Sequence, residues 1–326
     1  MKTQIVYTLI SSEKDYFLEE LWVSLYSFRQ FHPEATVNVL VDEPTKKYME
    51  RFPELCGMIT NIVVVSVPEN YNAKQRSRVI KTTVRNVIDG AYLFVDTDTV
   101  ICKPLDDIDS LTCDMAAVPD GHLPLSECMF PPTNSVNKIF KTDVSDSKYW
   151  FNSGVMFVAD NEQTRKFYKR WNENWTYSCF KKGQSQDQPA LLATDKEFGY
   201  IISELPGIYN AQVAMSLKYF ADAAIVHWWH MSFIENQDYS PFFSLQIYKD
   251  VKKFKGLSDE TIEQIEHCKQ SFVSPSMPVG KEHIYFLFSP AGKIFNRIYK
   301  EGGAACFLMN KCASILEKIH KYTKKK

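Results

Sequence analysis

The sequence predicts an α/β fold on a largely parallel sheet, and three observations carry that prediction. The chain opens strand, helix, strand. Strand-like and helix-like patterns then keep alternating to residue 95. At 326 residues, with 45% hydrophobic and 24% charged positions, the composition is that of a globular protein with a large core.

The elements follow in order. Gln4 to Leu9 and Thr36 to Val41 read as strands, and Tyr16 to Phe31 between them carries Phe17, Leu21, Leu25 and Phe28 at helical spacing. Asn61 to Val67 (NIVVVSV) is a buried-strand run, and Ala91 to Val95 (AYLFV) is another. The basic stretch Ala73 to Val87 between them reads as a helix bearing Arg76, Arg78, Lys81 and Arg85. A solvated face suffices to explain Arg85, and is the alternative to a functional role for Arg76 and Lys81. Beyond Asp98 the pattern loosens into strand-like segments at Met115 to Val118, Phe151 to Val158 and Ala224 to Val226, separated by long loops of the kind that carry function. Asn161 to Thr176 predicts a helix with Phe167, Trp171 and Trp175 on one face, and Ser258 to Lys269 a short capped one. The expected division is a catalytic domain over 1–240 and a helical extension over 241–326.

Charge and cysteine content exclude several classes. With 38 basic and 39 acidic residues the chain is not built to track a polyphosphate, so no nucleic-acid partner is expected. The balance is uneven, because Lys281 to Lys326 holds ten basic residues against three acidic ones. The eight cysteines include no C-x-x-C pair, which suits reduced thiols in the cytosol. Residues 1–9 give no signal-peptide pattern and no apolar run approaches a membrane span, so the expectation is a cytoplasmic protein and the Asn174-Trp175-Thr176 sequon is accidental.

The sharpest chemical signal is Asp96-Thr97-Asp98. Two carboxylates at i and i+2, where a strand leaves the sheet, can reach one hard cation, and ligands of open α/β sheets bind at strand carboxyl ends. The same string, LFVDTDTV, also suits the nucleophile motif of haloacid-dehalogenase-type phosphatases, with Asp96 as nucleophile. That motif normally lies on the first strand of its domain with a second acidic pair downstream, and here neither condition is met.

Taken together, the residues resemble nucleotide-sugar glycosyltransferases of the GT-A type, most of all glycosyltransferase family 8 and its relatives. The resemblance covers about residues 4 to 230 and rests on Tyr7-Thr8-Leu9 with Tyr16, Arg78 upstream of Asp96-Thr97-Asp98, Phe151-Asn152-Ser153-Gly154-Val155, Ser185-Gln186-Asp187-Gln188 and Ile225-Val226-His227. It implies a nucleotide-diphospho-sugar transferase fold, a Rossmann-like mixed sheet flanked by helices, here with a C-terminal helical appendage. It also implies a UDP-sugar donor and a glycan or lipid-linked acceptor, as in bacterial surface polysaccharide synthesis, with retention of configuration.

By the same resemblance, Asp96, Asp98 and His227 hold Mn²⁺ or Mg²⁺. Thr8, Tyr16, Arg78, Asn152 and Gly154 join the aspartates at the donor, Asp187 and Gln188 lie at the reacting carbon, and Asp120 and His122 face the acceptor. Pro189 stands where the family often has a second acid, and Trp228-Trp229-His230-Met231-Ser232 replaces its usual histidine-to-tryptophan ending, leaving Lys218 as a candidate to close over the diphosphate. His230 is expected to play no part in the metal site. A homologue that binds but does not catalyse is the non-enzymatic alternative. The amphipathic face of Met309, Cys312, Leu316 and Ile319, with the basic surplus, leads to the expectation that residues 281–326 contact an anionic membrane peripherally; packing on the domain is the rival.

Overall fold

In a computed structural model of the chain, the sheet is built outward from β1 (Gln4–Leu9). The structure describes residues 1–128, 132–213, 215–228, 245–270 and 286–323. Parallel pairing joins β1 to β2 (Val37–Val41), β2 to β3 (Asn61–Val64) and β1 to β4 (Tyr92–Val95). This is the predicted βαβ opening, with α1 (Phe17–Phe31) as its crossover. The short helices α2 (Glu43–Met49) and α3 (Pro53–Gly57) link β2 to β3, and α4 (Ala73–Val87) links β3 to β4.

The sheet does not remain parallel. After β4 come β5 (Thr99–Ile101) and β6 (Met115–Pro119) with no α-helical crossover between them, so the rule that enforces parallel neighbours lapses. Past α5 (Thr133–Phe140), β7 (Phe151–Val158) inserts antiparallel between β4 and β6, and β8 (Ile202–Glu204) adds parallel to β6. The seven-stranded order is β3-β2-β1-β4-β7-β6-β8. A small sheet holds β5, β10 (Ile225–His227) and β9 (Ala211–Gln212) in the order β5-β10-β9. The architecture is thus a mixed sheet flanked by helices.

Helix α4 and the two helices that follow β7 cover the β4–β7 side of the core. Helix α6 (Glu162–Lys182) runs one and a half turns beyond its expected end, to Gly183, whose left-handed conformation (φ 72°) stops it. Its Phe167, Trp171 and Trp175 are fully buried, and each such side chain contributes about 2–3 kcal/mol through burial. Asn174 is buried too, donating to Thr194 Oγ1 at 3.0 Å on α7 (Gln188–Glu197), so the sequon offers no accessible amide.

The basic helix α4 is not the solvated surface that its composition suggested. Arg85 is fully buried, donates to the carbonyls of Gly90 (2.7 Å) and Ile88, and stacks over Tyr92. Those carbonyls belong to the turn that feeds β4, so the guanidinium ties the end of α4 to the start of the strand. Arg76 pairs with Asp42, and Lys81 is buried in the site described below.

Residues Met1–Ser276 form one compact unit and Met277–Lys326 another. The first includes α8 (Leu245–Phe254) and α9 (Asp259–Glu266). Ile247, Tyr248 and Val251 of α8 join the core beside α1, and Tyr26 donates to Glu266 at 3.1 Å. The second unit holds α10 (Pro290–Glu301) and α11 (Gly303–Thr323), joined at Gly302 and Gly303, whose φ values of 66° and 71° suit glycine. No helix among the described residues is long and apolar enough to cross a membrane.

Candidate active site

Strand β4 ends at Val95, and the chain turns at once into Asp96-Thr97-Asp98 before entering β5. The turn is pinned on both sides. Asp96 N donates to Gly154 O of β7 at 2.7 Å, and Trp228 N donates to Asp98 O at 3.0 Å, just past β10. The two sheets therefore meet here, and His227 from the small sheet faces the carboxylates from the large one.

Asp96, Asp98 and His227 each offer a ligand atom, and the three atoms lie within 4.8 Å of one another. Hydrogen bonding decides the state of the imidazole. The Asp120 carboxylate accepts from Asn152 Nδ2 (2.9 Å), so Asn152 Oδ1 accepts from Gly154 N (2.9 Å) and from Asn210 Nδ2 (3.0 Å). Asn210 Oδ1 is then an acceptor for His227 Nδ1–H at 2.9 Å. That leaves Nε2 turned to Asp98 Oδ1 at 3.1 Å, a contact that needs either a proton or a cation between the two atoms. Burial alone would lower the His227 pKa, but the carboxylates of Asp98 and Asp96 outweigh it and hold it above the ordinary value.

The space around this group is tight. A β-carbon on Gly154 would lie 2.5 Å from His227 Cε1 and 2.9 Å from both Asn152 Oδ1 and Asp96 Oδ2. Only glycine lets β7 pass this close to the carboxylate–histidine cluster. The donor set of two carboxylates and one neutral imidazole nitrogen suits Mn²⁺ or Mg²⁺, with the nitrogen favouring Mn²⁺.

Beside the cluster lies a cationic pair, Lys81 buried and Arg78 half-buried, that meets a third carboxylate. Lys81, only 3% exposed, reaches both oxygens of Asp96 (2.9 and 3.1 Å) and lies 3.9 Å from Asp187 Oδ2. Arg78, one turn earlier on α4, pairs through Nε with Asp187 Oδ1 at 2.9 Å. Asp187 also accepts from Ser153 Oγ at 2.8 Å. Burial would raise the Asp187 pKa, but the charges of Arg78 and Lys81 bring it down to about 2. Gln188 opens α7 and donates through Nε2 to Asp120 Oδ1 (3.1 Å) and Phe151 O (3.3 Å). Arg78, Asp96, Asp98, Asp120, Asn152, Gly154, Asp187, Gln188 and His227 are thus joined in one network.

The remaining predicted residues are not members of this network. Thr8 is at the carboxyl end of β1, and Tyr16 precedes α1, with Lys252 Nζ of α8 4.7 Å from its ring centroid. His122 is buried, accepts from Gln212 N at 3.1 Å and packs edge-on against Tyr219. Burial, then the charge of Lys218, lowers its pKa to about 4. Lys218 itself lies over Tyr219, 5.0 Å from the ring centroid. Trp229, His230, Met231 and Ser232 lie outside the described residues.

Sequence reasoning missed two members. Lys81 could have been found, since it stands at i+3 from Arg78 and shares its helix face. Asn210 had no local signal, because only the fold brings the turn Gly207–Asn210 under His227.

No curated protein matches the chain. Solved structures similar to it include mouse xyloside xylosyltransferase 1, at 11% identity and a TM-score of 0.47, covering 70% of this chain and 97% of that one. The galactosyltransferase LgtC, bound to donor and acceptor sugar analogues, is 15% identical with a TM-score of 0.48, covering 84% and 98%. The glycosyltransferase GlyE of Streptococcus pneumoniae TIGR4 is 15% identical with a TM-score of 0.49, covering 85% and 67%. The sequence model described as glycosyl transferase family 8 matches residues 8–232, about two thirds of the chain and every residue of the network above. The chain therefore belongs to glycosyltransferase family 8 and is a glycosyltransferase.

Proposed function

We propose that this enzyme transfers a sugar from a UDP-sugar to a glycan or lipid-linked acceptor, that it depends on a divalent ion, and that it retains configuration. The observation that carries the metal reading is the pairing of Asp98 Oδ1 with an imidazole nitrogen whose partner nitrogen already holds the proton. Asp96, Asp98 and His227 would hold the ion, which as a Lewis acid would offset the charge that grows on the departing diphosphate.

The other roles follow from charge and hydrogen-bonding capacity. Arg78 and Lys81 supply positive charge beside Asp96, where phosphate oxygens would lie, and Lys81 neutralises Asp96 when no ion is bound. Thr8 and Tyr16 would flank the base. Asn152, Gly154 and Asp187 would line the donor sugar, and Asp120 and His122 would face the acceptor side, with His122 acting as a brace through Gln212. Asp187 is already committed to Arg78 and Ser153 and holds its charge down to about pH 2, which makes it a poor general base and favours retention with Gln188 beneath the anomeric carbon. Membership of the family leaves the phosphatase reading of Asp96 without support.

A place on the cytoplasmic face of an anionic membrane, in surface polysaccharide synthesis, is part of the same proposal. Support comes from the basic surplus of residues 281–326 and from exposed apolar side chains of the second unit, among them Phe307, Leu308 and Leu316. A donor-hydrolysis screen tests the core of the reading. Release of UDP from one UDP-sugar, stimulated by Mn²⁺ and absent in Asp98→Ala, is expected. Equal turnover in excess chelator would overturn the metal dependence.

A further inference from the structure

One face of α1 is polar although it is buried. Glu20, Ser24 and Ser27 are at most 2% exposed and stand at i, i+4 and i+7, so they form a stripe. Opposite them run alternate residues of the segment that leads from the carboxylate pair into β5. Thr97 Oγ1 donates to Glu20 Oε2 at 3.3 Å, Ser24 Oγ meets Thr99 Oγ1 at 2.8 Å, and Ile101 N donates to Ser27 Oγ at 2.9 Å. Four and then three helical residues advance about 6 and about 4.5 Å while two strand residues advance about 6.7 Å, and the shorter second step is met by the Ile101 backbone N–H rather than by a side chain.

Proton counting gives the middle rung a direction. The single proton of Thr99 Oγ1 goes to Asp96 O at 2.9 Å, so Ser24 must donate to Thr99 and Tyr7 must donate to Ser24, at 2.9 Å. Tyr7, Ser24, Thr99 and the Asp96 carbonyl thus form a one-way chain ending on a residue of the metal-ligand group. Packing alone would not call for it, since apolar side chains would fill the same helix–strand contact without burying hydroxyls and a carboxylate.

We propose that Ser24 and Glu20 are positioning residues for the metal group: the stripe clamps residues 96–101 to α1 and so holds Asp96 and Asp98 at their distances from His227. The inference rests on the metal reading above and extends it to α1, which supplies none of the three proposed ligands.

The test is Mn²⁺ binding to the full chain, read from the paramagnetic resonance of free and bound ion, with thermal unfolding measured on the same samples. Ser24→Ala, Thr99→Val and Glu20→Ala should each weaken Mn²⁺ binding about tenfold, the low end for groups that support metal ligands. The Ser24→Ala/Thr99→Val double variant should lose little more than the worse single one, because both cut the same chain. Glu20→Gln should keep most of the affinity, since its amide oxygen still accepts from Thr97. Should Ser24→Ala fail to fold, Thr99→Val and the two Glu20 variants carry the test. Unchanged Mn²⁺ affinity with a lowered melting temperature would overturn the proposal and leave the stripe as packing. No Mn²⁺ binding by the wild type would instead overturn the metal reading, and the inference with it.

Discussion

Asn210 decides which nitrogen of His227 carries the proton. Its Oδ1 accepts from Nδ1 at 2.9 Å, and its own Nδ2 is spent on Asn152 Oδ1, so the amide cannot reverse without breaking the chain from Asp120. Removing the acceptor frees the ring to adopt the other tautomer, with Nε2 protonated and closed to a cation. Asn210→Ala should therefore weaken Mn²⁺ binding about 10–100-fold. Asn210→Asp, which keeps an acceptor, should lose less. Calorimetric titration of Mn²⁺ into both variants checks the order, and equal affinities would mean that the ring is held by something else.

Gly154 makes a second, steric demand on the same ring. A methyl group there would meet His227 Cε1 at 2.5 Å and Asp96 Oδ2 at 2.9 Å, so either the ring or β7 must move. Because β7 is held between β4 and β6, the ring is the softer partner. Gly154→Ala is expected to lose Mn²⁺-stimulated activity by about 100-fold, in line with metal-site disruption, while a folded circular dichroism spectrum persists. Near-normal activity would show that the cluster has room to spare.

Stereochemistry is tested at Asp187 and Gln188. With Asp187 bound to Arg78 and Ser153, the first-formed product should keep the donor's anomeric configuration, as read by NMR before mutarotation. An inverted product would require a base on the acceptor side, and Asp120, whose pKa is raised by burial, would then be the first residue to examine.

How much of this could be read in advance depended on whether the signal was local. Helix α4 was predicted at its observed ends and β7 likewise, because each is a continuous run of one character, basic in the helix and largely apolar in the strand. The antiparallel entry of β7 was not, since strand direction depends on how the chain returns through residues 99–150. Asp96 and Asp98 were legible as neighbours on one turn. Asn210, Ser24 and Lys81 were hidden for different reasons: the first two work through contacts far apart in sequence, and Lys81 was obscured by basic neighbours that made α4 look solvated.

Asp195 gives a pH-dependence separate from catalysis. It is 1% exposed, its Oδ1 accepts from Ile202 N at 3.1 Å, and burial raises its pKa to about 7. The folded state therefore keeps a proton that the unfolded chain releases above the ordinary value of 3.8. Stability should fall as pH rises from about 4 to about 7, by at most about 1.4 kcal/mol per unit from this group, and level off beyond. Asp195→Asn, which cannot ionise, should flatten that slope. Melting temperatures at pH 4.5, 6 and 7.5 in chelator, for both proteins, provide the comparison, and parallel curves would remove Asp195 as the source.

The proposed membrane contact is tested on the second unit. Leu308 and Leu316 of α11 are 60% and 65% exposed, and Phe307 is 61% exposed, on a segment with ten basic and three acidic residues from Lys281 onward. The side chain of Ile319, assigned to the same face by its spacing, lies outside the described residues. Each basic residue near an anionic surface contributes about 1 kcal/mol, and inserted leucine and phenylalanine side chains would add apolar burial. The full chain should sediment with vesicles containing anionic lipid, less so at high salt, and barely with neutral vesicles. Leu308→Asp and Leu316→Asp alter exposed positions and so should spare the fold while weakening binding several-fold, since each removes an insertable group and adds a repelled charge. Binding to anionic vesicles that survives both changes would point to charge alone. No binding by the wild type would leave this unit as a surface for something other than a membrane.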